Sequence, residues 1–478
     1  MKINRIDKYL WEIPASEKPG MRVPARFYAS EKLKEGFDQK VLDQITNVAC
    51  LPGILKHALC MPDGHLGYGF PIGGVAAFSI KDGIISPGGI GFDINCGMRL
   101  IKTTLKEDAV KKRLKKLLDG LFKAVPAGVG GKTGVSLSKK ALAQIMRDGA
   151  QWAIQKGYGW PQDRDVIEDG GKIAWADSET VSDRAIERGI AQLGTLGSGN
   201  HYLEIQVVSD IFDPQAAEIF GLSMGQVVVM VHCGSRGFGH QIATDYLVIF
   251  DQLQKKYNLH LPDRQLAAAP FFSPEGRQYY KAMAAAANFA FANRQVITHQ
   301  IRKVFSNVFG KNAETLGMGI IYDVAHNVAK RERHQINGKQ QEVLVHRKGA
   351  TRAFGPGSVE IPEQYRHIGQ PVIIGGSMET GSYLLLGTAQ SEAATFSSTM
   401  HGAGRVLSRR AAKKQISGKT LLKQMAEDGI LVRAASLAAL AEEAGFAYKD
   451  VSEVVLTGEG AGISKRVVRF RPIGNIKG

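Results

Sequence analysis

The sequence predicts one large domain over residues 1–478 that mixes short apolar strands with helices. Three observations lead there. Strand-like runs such as 226–231 and 371–374 are interleaved with helical stretches such as 274–309. Side chains able to do chemistry sit in short motifs spread from position 93 to position 326. No linker, low-complexity segment or internal repeat divides the chain, and a site assembled from distant segments cannot be cut by a domain boundary.

Composition narrows the function. The 478 residues are 44% hydrophobic, enough to bury a large core. Lys plus Arg number 61 against 45 Asp plus Glu, a formal net charge of +16, and the sequence pI is about 9.5. That balance favours polyanionic partners, nucleic acid first. Cys50, Cys60, Cys96 and Cys233 have no paired spacing, which argues against a disulfide scaffold or a small zinc module and fits a reducing cytosol. No apolar run approaches the roughly 18 residues of a membrane helix, and the N-terminus carries no export signal, so a cytoplasmic protein is expected.

Residues 1–60 mix short helical signals with a Pro-rich connection at 13–24. Met61 to Gly74 is too rich in Gly and Pro for a helix and reads as a loop entering strands. Within it Asp63 and His65 could serve a site or simply make an Asp-Gly turn. Runs 75–80 and 83–85 flank Asp82-Gly83 and predict a hairpin. Next comes the stretch from Gly88 to Arg99, whose glycines allow the backbone to fold around Asp93 and Cys96. A hard carboxylate and a soft thiolate so placed can share a divalent metal, although a glycine turn around a buried Cys fits the same letters.

Residues 107–125 predict an amphipathic basic helix. Gly128 to Thr133 ends in the Gly-Lys-Thr of a phosphate loop, but Pro126 stands where that motif needs its first glycine, so the motif is rejected. After alternating helical and polar segments over 135–193, the loop Gly194 to Glu204 leads with Asn200 and His201 into a strand at 203–208. The apolar run 226–231 delivers His232 at its end, and 318–322 does nearly the same for His326. A ligand at a strand terminus is held by a rigid element. Ser235-Arg236-Gly237 opens a helix around 241–256, where backbone amides and an arginine could receive an anion.

Helix 274–309 follows, then an Asn337-Gly338 hairpin turn, basic residues through Arg352, and a buried strand at 371–374. His401-Gly402-Ala403-Gly404-Arg405 leads into a basic helix at 406–414, with two further helices over 421–443 and strands at 454–456 and 466–470. One carboxylate, one thiolate and three imidazoles exceed the needs of a four-coordinate ion, so two ions bridged by Cys96 fit, with manganese or zinc both acceptable. His401, flanked by glycines and arginines, could attack a phosphorus atom, ligate metal or be structural. On these residues alone a metal-dependent phosphatase or nuclease stays open beside a ligase, as does an RNA-binding protein with a structural metal.

Taken together, Gly91-Phe92-Asp93-Ile94-Asn95-Cys96-Gly97, Gly197-Ser198-Gly199-Asn200-His201, Val231-His232-Cys233-Gly234-Ser235-Arg236-Gly237, Ala325-His326-Asn327, His401-Gly402-Ala403-Gly404-Arg405 and Ile476-Lys477-Gly478 resemble the RtcB family of RNA ligases. The resemblance runs from about Pro62 to the last residue. It implies an α+β fold of RtcB-like topology, with central sheets flanked by helices around a metal-containing cleft. It also implies a GTP-dependent enzyme that joins RNA 2′,3′-cyclic phosphate or 3′-phosphate ends to 5′-hydroxyl ends, in tRNA splicing or RNA repair.

By that resemblance, Asp93, Cys96 and His201 would hold one manganese ion, and Cys96, His232 and His326 a second. His401 would carry GMP covalently. Asn200, Glu204, Ser377, Ser382, Gly402, Ala403, Gly404, Tyr448 and Lys477 would form the nucleotide pocket. Arg236, Arg352, Arg405 and Arg409 are candidates for RNA phosphates. Expected partners are tRNA halves or broken RNA, GTP and the helper protein archease. A monomer away from membranes is expected.

Overall fold

The computed structural model describes residues 1–128, 130, 131, 135 and 137–478; Val129, Lys132 and Thr133 of the rejected phosphate-loop stretch lie outside the described residues. The architecture is mixed α+β. Two large sheets carry it, with two short two-stranded pairs beside them. A seven-stranded sheet runs in the order Asn4–Asp7, Leu10–Ile13, Ala25–Tyr28, Ile54–His65, Ile72–Ser79, Lys339–Lys348, Asn327–Ile336. An eight-stranded sheet runs Ile320–Ala325, Gly97–Lys106, Gln226–Cys233, Tyr202–Ile211, Lys465–Lys477, Ser382–Leu386, Pro371–Ile374, with Leu431–Ala434 added in parallel to Lys465–Lys477.

The second sheet positions the site. Gln226–Cys233 is buried at every residue, which a central strand with both faces covered requires. Its neighbours run antiparallel, with Gly97 opposite both Cys233 and Ala325, and Tyr202 opposite His232. Two strands that end and two that begin therefore meet at one edge, bringing 96, 201, 232 and 326 together from across 230 residues of sequence. Behind the sheet lies the 36-residue helix Pro274–Phe309, begun by Ser273, whose side chain accepts from the Gly276 amide, and ended at left-handed Gly310.

Several expectations change. Ile84–Ile85 pairs with Ala269–Pro270, while Ile72–Ser79 pairs with Ile54–His65 and Lys339–Lys348, so Asp82-Gly83 makes no hairpin between its two flanks. The start of the Met61–Gly74 loop is strand, since Ile54–His65 extends through it. The basic helix breaks into Glu107–Lys111 and Leu114–Ala124. Residues 454–456, expected as strand, belong to the helix Val451–Gly460. The Asn337-Gly338 turn does close a hairpin, Ile336 opposite Lys339. Among the described residues no helix is long and apolar enough to cross a membrane.

Candidate active site and metal centre

Asp93 and Cys96 meet because Asn95 takes a left-handed conformation, φ 51°, between them. Its side-chain amide donates to the Ala287 carbonyl at 2.8 Å, and the backbone amide of Cys96 closes onto the Asp93 carbonyl at 2.9 Å. The Cys96 Sγ then lies 3.3 Å from His201 Nε2 and 3.2 Å from His232 Nε2, and His232 Nε2 lies 3.2 Å from His326 Nε2. Cys96, His201 and His232 form a buried group whose ligand atoms could hold a metal ion.

The donor set fits a cation. The His232 Nδ1 donates to the Asn200 carbonyl at 3.1 Å, which fixes the tautomer and turns an Nε2 lone pair toward the cluster. Asp93 Oδ2 is 2.8 Å from His201 Nε2 yet receives no well-directed hydrogen bond. Burial, reinforced by the charges of neighbouring histidines, pushes His232 and His326 far below the usual imidazole value, so both are neutral bases. Burial also pushes up the Asp93 carboxyl, but His201 and Arg236 outweigh it and hold the group ionised. Burial and the Asp93 charge push the Cys96 thiol up, so a metal taking its sulfur would displace a proton.

His401 faces this cluster, its ring centroid 4.8 Å from that of His326. One carboxylate holds it: Asp63 Oδ2 accepts from the His401 amide at 3.0 Å, from the Gly402 amide at 3.2 Å, and lies 2.5 Å from His401 Nδ1. Burial pushes Asp63 up and His401 more than reverses it, leaving Asp63 ionised. With Nδ1 bound to Asp63, Nε2 is the ring nitrogen of His401 left for the cavity. Two buried lysines hold the backbone before and after Asp63. Lys449 Nζ donates to the carbonyls of Pro62 and Gly64 at 3.1 and 2.6 Å. Lys348 Nζ donates to those of Tyr68, Phe70 and Gly88.

A cavity of about 700 Å³ opens over both groups. Of the nucleotide-pocket residues, Asn200, Ser377, Gly402, Ala403, Gly404, Tyr448 and Lys477 line it. Glu204 and Ser382 sit behind that wall, both bound to the Gln206 amide at 2.6 and 2.9 Å. Burial raises Glu204 to about 7.

The four arginines divide. Arg236, with φ 59°, donates its amide to Asp93 Oδ1 at 3.2 Å and lays its guanidinium against Gly197, where any Cβ would overlap it. Its Nη1 is 2.8 Å from His201 Nδ1. Arg405 and Arg409 line the cavity, Arg409 with half its side chain exposed. Arg352 does not reach the cavity: it is buried against Glu168 at 3.2 Å and Asp169 at 3.4 Å, so an RNA phosphate cannot approach it. Carboxylates far away in sequence claimed it, and the local basic cluster gave no sign of them.

Two residues were not singled out from sequence. Glu443, buried, accepts from Tyr448 and pairs with Arg405 at 3.2 Å and Arg409 at 3.1 Å, and Lys477 Nζ is 4.0 Å away. Nothing in Ala441-Glu442-Glu443 distinguishes it from a solvated helix end. Asn327 links both sheets, donating to the Asp93 carbonyl at 3.0 Å and accepting from the Gly349 amide at 2.8 Å. Its position directly after His326 was the available signal.

The sequence model of the family described as "tRNA-splicing ligase RtcB" matches residues 44–478. A protein of Thermococcus kodakarensis described as tRNA-splicing ligase RtcB is 54% identical over 477 residues, covering 100% of this chain and 99% of its own length. Proteins of the same description from Archaeoglobus fulgidus and Methanococcus maripaludis are each 52% identical over 476 residues, with 100% and 99% coverage.

Proposed function

The chain belongs to the RtcB family of tRNA-splicing ligases, and on that footing we propose a GTP- and manganese-dependent RNA ligase that seals 2′,3′-cyclic phosphate or 3′-phosphate ends to 5′-hydroxyl ends through GMP carried on His401. The observation that carries the reading is the Asp63–His401 pair facing a buried Cys-His cluster across one cavity.

His401 Nε2 attacks the α-phosphorus of GTP; the N–P bond forms as the bond to pyrophosphate breaks. Asp63 holds the Nδ1 proton and offsets the positive charge that the imidazole gains. An RNA 3′-phosphate oxygen then takes the GMP and frees the imidazole, leaving an activated diphosphate end; a cyclic phosphate is first opened by water. Finally the 5′-hydroxyl oxygen attacks the RNA phosphorus and GMP departs. Asp93, Cys96 and His201 would hold one manganese ion and Cys96, His232 and His326 the other, supplying positive charge to phosphate oxygens as negative charge builds on them. Arg405 and Arg409, which line the cavity, receive RNA phosphates, with Arg236 beside His201 as a further candidate, and Asn200, Gly402 to Gly404, Tyr448 and Lys477 take the nucleotide. Contributions from both large sheets support reading residues 1–478 as one domain.

Intact-mass measurement after incubation with GTP and manganese tests the core of this. A gain of one GMP that disappears in His401→Ala supports it. An unmodified wild type under varied metal, or release of phosphate from RNA ends without GTP, speaks for a phosphatase instead.

A further inference from the structure

Three rings meet beside the metal cluster, each from a different element. Phe92, adjacent to Asp93, has Tyr68 edge-on at 5.3 Å between centroids and His240 nearly parallel at 4.9 Å. Phe92 packs one side on the core formed with the long helix, and together with Tyr68 and Leu66 it forms part of the cavity wall shared with His401 and Cys96. His240 is exposed and carries the ring surface outward from the second turn of the helix Arg236–Leu253. Leu66 adds an apolar edge that is 49% exposed. Neither the metal chemistry nor transfer of GMP uses any of these groups.

We propose that Tyr68, Phe92 and His240 form the stacking site for the first nucleobase of the RNA strand that bears the 5′-hydroxyl. The site deepens the ligase reading and rests on it. An aromatic surface beside a cationic groove is how proteins hold single-stranded nucleic acid irrespective of sequence, because every base has a π-face. The cation is at hand, since Arg188 Nη1 donates to Gln241, the neighbour of His240, at 2.9 Å. Geometry selects the strand. In an in-line displacement the incoming hydroxyl and the departing GMP lie on opposite sides of the phosphorus. His401 contacts the cluster at His326, and Asp93 with Phe92 lies at its other end, beyond His232, Cys96 and His201. A nucleotide on the Phe92 side therefore presents its 5′ oxygen from across the guanylate.

The test measures equilibrium binding to the metal-loaded protein of three single-stranded hexaribonucleotides with a 5′-hydroxyl and a 3′-phosphate. One is intact, one lacks the base of its first nucleotide, and one lacks the base of its last. The first abasic strand should bind wild type about tenfold more weakly than the intact strand. Phe92→Leu, which keeps bulk but removes the ring, should bind the intact and first-abasic strands alike, at the weaker value. His240→Ala, at an exposed position, should narrow the difference and serves if Phe92→Leu does not fold. Equal binding of intact and first-abasic RNA by wild type overturns the proposal, as does a loss confined to the strand lacking its last base. Because binding requires no GMP transfer, absence of the His401 adduct would sink the ligase reading without deciding this one.

Discussion

Two buried polar assemblies lie back to back in the eight-stranded sheet and are built on opposite principles. Asp323 and His326 are three residues apart and belong to different ones. On the Asp323 side, the Arg294 guanidinium grips the carboxylate at 2.8 Å through two nitrogens and Arg99 binds it at 2.7 Å. Arg294 also donates to the carbonyls of Asn95 and Cys233, and Arg99 to Gln295 and Thr298. Only Arg99 Nη2 lacks a partner there. On the His326 side, a thiol, neutral imidazoles and a carboxylate converge with His326 Nδ1 and Asp93 Oδ2 unmatched. A satisfied network holds shape; one with buried polar atoms left unmatched around a Cys-His group could take a cation.

Breaking the satisfied half should cost the most. Asp323→Ala leaves two buried guanidinium groups uncompensated and should destabilise the metal-free protein by about 3–5 kcal/mol, seen as a lower denaturant midpoint. The same carboxylate sets an acid limit. Burial pushes it up, but Arg294 and Arg99 together hold it below its unfolded value of about 3.9. Its contribution is therefore present above that value and is lost as pH falls through the folded one. Below about pH 4 the wild type should weaken, and Asp323→Asn should show a flatter stability profile there; matching profiles would show that this network does not set the acid limb.

Removing the carboxylate behind His401 comes next. Asp63→Asn should retain the fold, because Lys348 and Lys449 clamp the surrounding loop through backbone carbonyls, and should slow formation of the GMP adduct by roughly 10²–10⁴-fold. A rate near wild type would assign Asp63 to backbone anchoring alone.

The unsatisfied half should respond to metal rather than to truncation. Manganese at about 100 times its dissociation constant should stabilise wild type by about 2.7 kcal/mol, and Cys96→Ala should lose most of that gain with little change in the metal-free melting temperature. A large drop in the metal-free protein would mean that Cys96 serves packing.

That contrast also explains what the sequence could disclose. His232 was legible because an all-apolar strand carries it to a fixed end, and the helix Pro274–Phe309 because its Ser-Pro start and Gly stop are local. The helix Val451–Gly460 read as strand because three apolar residues fit either period. Ile84–Ile85 was given the wrong partner because the right one lies at Ala269–Pro270. Metal-type residues announce themselves by kind. Glu443 and Arg352 do not, since their roles come from charges brought in by the fold from up to about 180 residues away.

The smallest effect should sharpen the comparison at the cavity mouth. Arg409 pairs with Glu443 at 3.1 Å, yet half its side chain meets solvent, so neither assembly depends on it for stability. On the proposed reading its charge meets an RNA phosphate. Arg409→Ala should leave the melting temperature within a degree or two, weaken RNA binding about equally for unrelated sequences, and lower the slope of log K against log salt by about 1. A lower affinity with the wild-type slope would show that Arg409 acts by holding Glu443 beneath Tyr448 and not by meeting a phosphate.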